Sequence, residues 1–337
     1  MLQFKNKTPF QGTILLAPDP KGIESAYTII KATYILGETL QLGERQEPIN
    51  QQDQYYGDSA TSSIKQAGDI GLVKPGTDVL LHGTAYAPYG RPLRQMDVFL
   101  KVGPVCKELR VFGDRVWRKS LFGARISDPQ LFIEMPLMWE KAFGGFDETE
   151  DKAPQTVIED RNPVGCGLRA KNSKNDLDGM KLPNIEDPRQ LVSSWKDRPT
   201  PAGFGAVCPH WQPRRGYAGT YDERWKKQRA PYLPKDFDAR FFQIAPPDLV
   251  KPGYLSGGEV VELIGVSQTG QLAFTVPNQQ VQVTYQLDDR KQLCPAYLDT
   301  VLIEPDLNRV VLIWRSMFPC DKKALRIREI EATVGNA

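Results

Sequence analysis

Histidine is almost missing from this chain of 337 residues. There are two, His82 and His210, so acid–base mechanisms that depend on imidazole have little to draw on. The five cysteines, Cys106, Cys166, Cys208, Cys294 and Cys320, are odd in number, widely scattered and never spaced as Cys-x-x-Cys. That argues against a disulfide framework and against a structural zinc site. Neither sign of charge dominates: 43 Lys and Arg face 41 Asp and Glu, a balance of +2. A nucleic-acid stripe or a polybasic membrane patch would need more. Long apolar runs are lacking too, since 310–314, among the longest aliphatic stretches, is far too short to span a bilayer. The first residues, Met1-Leu2-Gln3-Phe4-Lys5-Asn6-Lys7, show no basic start followed by an apolar run and do not read as a secretory signal. A cytoplasmic protein with no membrane or nucleic-acid partner is the expectation.

Sequence signals for catalysis and metal binding are equally thin. His82 falls in an expected strand with Leu80, Thr84 and Tyr86 on its face, where a structural role is expected. Cys208 and His210 are two residues apart, and an extended backbone would put them on one side, the one arrangement resembling a thiol nucleophile with its base. Their surroundings, Val207-Cys208-Pro209-His210-Trp211, read as a proline-broken loop without an orienting Asn or Asp. Residues 174–179 begin like a calcium loop, but Lys174 takes the first ligand position and Ile185 the place of the bidentate Glu. The acidic run 147–151 reads as a solvated turn. Gly-x-Ser-x-Gly, phosphate-cradling glycine loops and His-Glu-x-x-His are all missing. No cofactor or metal is expected, and an enzyme becomes a secondary reading: a hydrolase with an unrecognised site.

What the chain does have is β signal at both ends. Residues 14–17, 27–35, 78–87, 96–102 and 106–112 in the first part are rich in β-branched and aromatic residues bounded by turn signals. The pair 96–102 and 106–112 reads as a hairpin through Gly103-Pro104. In the last part, 259–266, 272–276, 281–287, 299–304, 309–315 and 325–332 repeat the habit, with a hairpin turn at Asp306-Leu307-Asn308. The fold expected is mainly β, with sandwich or barrel-like sheets. Three segments are delimited, 1–145, 146–255 and 256–337, expected to form one cooperative unit.

Between the flanks, residues 144–253 are crowded with Pro, Gly, Asn and Trp and lack an apolar period. Disorder is excluded by the aromatic mass of Trp195, Phe204, Trp211, Tyr217, Tyr221, Trp225, Tyr232, Phe237, Phe241 and Phe242. Brief helices are expected at 187–195 and 221–229. A loop region this long and ordered points to recognition of a macromolecule. Because Trp, Tyr and Arg dominate interface hot spots, the candidate partner-binding residues are Arg161, Asn162, Trp195, Trp211, Arg214 and Tyr221. The trio Trp195, Trp211 and Trp225 would alternatively suit a carbohydrate-binding β-sandwich.

Several motifs then occur in order: 78–88, Gly90-Arg91-Pro92, 110–117 ending in Val116-Trp117, 135–145 ending in Phe143-Gly144-Gly145, Arg161-Asn162-Pro163-Val164-Gly165, Leu182-Pro183-Asn184, 201–205, Ala218-Gly219-Thr220-Tyr221 and 241–248. Up to about Pro277 the chain resembles a "domain of unknown function" family encoded beside type VI secretion effectors, whose members serve as effector adaptors or chaperones. The resemblance implies a cytoplasmic, non-enzymatic protein. Its partner would be a secreted effector, gripped near a PAAR-like region and loaded onto the VgrG/PAAR spike. It carries over no catalytic residue.

Overall fold

The computed structural model describes residues 2–121, 123–288, 290–321 and 323–336. The chain is mainly β, with one α-helix, Glu223–Gln228, and isolated 3₁₀ turns among the described residues. Three larger sheets carry the architecture, and none closes into a barrel.

The first sheet orders its strands as Val250–Pro252, Gly76–Leu81, Tyr297–Glu304, Arg309–Pro319, Glu24–Ile35 and Gln11–Pro18, with Gln41–Leu42 also on Glu24–Ile35. The second runs Ile185–Glu186, Val105–Phe112, Gln95–Val102, Val260–Ile264 and Gln271–Thr275. The third runs Gln3–Asn6, Ile327–Asn336, Gln279–Leu287 and Lys291–Pro295. Each therefore mixes strands from the first and last parts of the chain. Gly76–Leu81 lies parallel to Tyr297–Glu304, and Gln95–Val102 antiparallel to Val260–Ile264.

The Glu24–Ile35 strand shows why the first sheet is central: all ten of its inner positions are buried. On one face, Thr28 Oγ1 meets the Tyr285 hydroxyl at 3.0 Å and the Tyr34 hydroxyl donates to Gln279, joining the third sheet. On the other, Ile29 joins Val311 and Ile313 in a small apolar cluster with Ile49 and Ile70. Beside it Lys31 donates to Asp69 at 2.8 Å with both side chains buried. Segments covering both faces account for the burial of this whole run of β-branched and aromatic residues.

The expected strand over 78–87 divides at His82-Gly83. Gly76–Leu81 stays in the first sheet, while Thr84–Tyr86 pairs with Glu134–Pro136. The expected helix over 187–195 is not formed. Side chains there satisfy the backbone instead: Asp187 accepts from Arg189 N, Glu186 from Val192 N, and Asp197 from Ser193 N and Ser194 N. Such local acceptors compete with helical hydrogen bonds. The acidic run 147–151 is not wholly solvated either. Asp147 is buried and accepts from Ala170 N at 2.9 Å and from Asn175 Nδ2.

Candidate functional site

The inner side of 144–253 is built before its outer side can be useful. Residues 201–208 are all buried and run beside the first sheet, where Leu81 N donates to Phe204 O. Trp139 braces this segment, its indole Nε1 donating to Ala206 O at 3.0 Å and its ring lying against Gly203. Trp211, 1% exposed, meets Trp139 edge-on with ring centroids 6.1 Å apart. Residues 243–245 are fastened by Asp78, which accepts from Gln243 Nε2, Ile244 N and Ala245 N at 3.0–3.2 Å.

These fastened segments leave a two-lobed cleft on the outside, walled by proline. One lobe, of about 390 Å³, is lined by Lys107, Trp139, Arg161, Asp187, Pro201 and Asp248 among others. The second, about 300 Å³, is lined by Pro75, Arg214, Tyr217, Arg240, Gln243 and Pro252 among others. Val207, Pro213 and Pro247 belong to both, so the lobes adjoin across a proline ridge.

Their charges are arranged differently. In the first lobe each ionic group has a counter-ion. Lys107 Nζ lies 3.0 Å from Asp248, and burial pulls the lysine below its ordinary value while Asp248 works against that shift. Arg161 grips Glu159 with two hydrogen bonds of 2.6 and 2.7 Å and reaches Pro199 O. Asp187 pairs with Arg189 at 2.9 Å. In the second lobe Arg240 pairs with Asp238 at 2.6 Å and lies over the Tyr217 ring. Arg214 differs. It is 8% exposed and donates Nε to Phe241 O at 3.1 Å and Nη1 to Val207 O at 2.5 Å. Among the described residues no carboxylate lies within ion-pair distance of it. Burial lowers its pKa from the usual guanidinium value, opposed at longer range by Asp53 and Asp78.

A family profile described as "Uncharacterized protein conserved in bacteria (DUF2169)" matches residues 21–315, most of the chain and all of the cleft. The chain belongs to the DUF2169 family. No curated protein and no solved structure matches it. The family description names no activity and no partner.

Within this DUF2169 chain the six residues singled out from the sequence divide into three groups. Arg161 and Arg214 line the two lobes. Asn162 and Trp211 stand behind the cleft and present no surface, which corrects their reading as contacts. Asn162, fully buried, donates from Nδ2 to Trp139 O and Phe143 O, and the Trp211 indole donates to His210 Nε2 at 3.0 Å. Trp195 and Tyr221 lie outside the residues lining either lobe. Trp195 packs on a second apolar cluster with Trp117 and Leu168 beneath the Arg169 guanidinium. Tyr221 stacks edge-on against Trp225. Trp195, Trp211 and Trp225 thus do not share one exposed face, and the Trp225 indole is occupied by Tyr232 O.

The Cys208–His210 pair is not assembled either. Cys208 is buried, and burial pushes its thiol up to about 12, a value unsuited to a nucleophile near neutrality. His210 points out, its pKa lowered by partial burial and by Arg214 and Arg215. Among the described residues no group of three or more His, Cys, Asp or Glu is placed to hold a metal, and no helix is long and apolar enough to cross a membrane. Lys107, Tyr217, Arg240 and Gln243 were not singled out from the sequence. For the last two the signal was the stretch 239–248, with its paired phenylalanines and paired prolines. Lys107 carried none, because a lysine facing inward from a strand looks like any other lysine.

Proposed function

We propose that this protein is a non-enzymatic adaptor-chaperone that binds a secreted effector of a type VI secretion system and assists its loading onto the VgrG/PAAR spike. The observation that carries the reading is the proline-walled cleft, roughly 390 and 300 Å³ in its two lobes, set on a segment pinned from behind. Proline walls and buried fastenings hold the surface in its binding shape, so little conformational entropy is lost when a polypeptide docks. The resemblance of its ordered motifs to those of effector adaptors supports the same role. Physically, such a protein covers apolar surface or unpaired strand edges on the client until the spike takes over, stabilising the client by mass action. The region of the effector around a PAAR-like domain is the segment assigned to the cleft.

Deleting the gene in its native host tests this. Effector abundance is expected to fall while VgrG stays constant, both followed by quantitative mass spectrometry. Equal effector levels with and without the protein would remove the chaperone role.

A further inference from the structure

We infer that the Arg214 lobe is a carboxylate-binding site, and that the client docks there through a carboxylate carried on an apolar segment. The source of that carboxylate rests on the adaptor reading; the site itself does not.

Burying a guanidinium without an anion is costly, and the other buried cations among the described residues avoid it. Lys31 is buried with Asp69, Lys74 with Asp78, Arg115 with Glu186 and Arg315 with Asp299. Arg214 is also buried, at 8% exposed against 3–6% for these four, yet its two hydrogen bonds go to the carbonyls of Phe241 and Val207. Those bonds use Nε and Nη1 and aim the side chain, while Nη2 makes no hydrogen bond among the described residues. The group lines a lobe of about 300 Å³. A planar guanidinium so oriented suits a carboxylate oxygen, and Arg forms such charge-assisted bonds with better geometry than Lys.

The walls narrow the chemistry further. Pro75, Pro213, Pro247, Val250 and Pro252 offer apolar surface, which fits an aliphatic or prolyl stem and strengthens the ionic contact by excluding water. Gln243 cannot compete for the ligand, since its Nε2 is held by Gly76 O and Asp78. At the rim Arg240, though paired with Asp238, adds a second cation to the approach. In the first lobe every cation already has its anion, so the two lobes divide the work: an apolar bed beside a charged anchor.

Calorimetric titration of the full chain tests the inference with four probes. They are acetyl-Leu-Pro-Leu as the free acid and as the amide, and acetyl-Leu-Pro-Glu-Leu-amide with its Gln counterpart. At least one carboxylate probe is expected to bind tenfold or more tightly than its neutral partner. If the acid of the first pair is selected, the anchor is a chain terminus; if the Glu of the second, an acidic side chain. Arg214→Gln should abolish the selectivity. Because Arg214 also braces Phe241 and Val207, Arg240→Glu provides a second variant at an exposed rim position, expected to weaken only the carboxylate probes. Equal affinity for acid and neutral forms, no binding of any probe, or selectivity indifferent to Arg240→Glu would each overturn the site. An effector that falls on gene deletion but is fully restored by the Arg240→Glu protein refutes the anchor and leaves the adaptor standing. Carboxylate-selective binding with unchanged effector levels after deletion upholds the site and removes the adaptor.

Discussion

Buried Cys and Tyr side chains give this protein a defined weakness at alkaline pH. Burial pushes Cys208, Tyr27, Tyr254 and Tyr285 up to about 12 and Cys166 to about 11. In an unfolded chain thiols titrate near about 8.5 and phenols near about 10. A folded-state pKa above the unfolded one means the unfolded chain releases its protons first as pH rises. The stability these groups contribute is complete below about pH 8 and is lost progressively towards about pH 12. The urea midpoint should therefore be level near about pH 8 and decline steadily above about pH 9. A midpoint unchanged up to pH 11 would show that the buried groups are not held as described. The same scale separates Asn162 from Arg161, neighbours in one motif. Asn162 sits between Gly144 and Gly165, where a Cβ on Gly144, at φ +152°, would meet Asn162 O at 2.1 Å. One residue is a brace inside the wall and the other part of its surface.

Among the elements, the strand Gly76–Leu81 matters most for the cleft. Its Asp78 accepts from Lys74 at 2.8 Å and from the backbone of residues 244 and 245. It thereby ties the irregular segment to the sheet. Asp78→Ala leaves a buried lysine without its nearest anion and two amides without acceptors, a loss of about 3–5 kcal/mol. Reduced urea stability should be accompanied by new proteolytic cleavage between residues 237 and 250, detected by mass spectrometry. Reduced stability with that segment still protected would mean that Asp78 does not fasten it. The missing helix at 187–195 belongs to this scale as well. Asp187, Glu186 and Asp197 offer the backbone closer acceptors than a helix would, and the resulting turns place Asp187 and Gln190 on the cleft.

At the scale of the molecule, all three larger sheets interleave strands from the first and last parts of the chain. One apolar core runs through them, including Ile30, Leu81, Leu100, Leu263 and Tyr285. Neither flank has one of the three larger sheets to itself; those formed by one flank alone, such as Trp117–Ser120 with Gly123–Ile126, have two strands. Urea unfolding followed by tryptophan fluorescence and by far-ultraviolet circular dichroism should give one coincident transition. Two separated transitions would show that the flanks fold independently.

Local pattern decided a good part of this protein. The hairpin of Gln95–Val102 with Val105–Phe112 and the turn at Asp306 to Asn308 were legible because alternation and turn chemistry act between near neighbours. So was the order of residues 144–253, since that much aromatic and prolyl mass cannot remain solvated. The direction in which each of those side chains points was not legible. Trp211 and Arg214 lie three residues apart, and nothing local says that the first backs Trp139 while the second lines a cavity without an anion. Burial and ion pairing are set by which distant strands come together, here Gly76–Leu81 beside Tyr297–Glu304. Only the assembled tertiary structure could decide them.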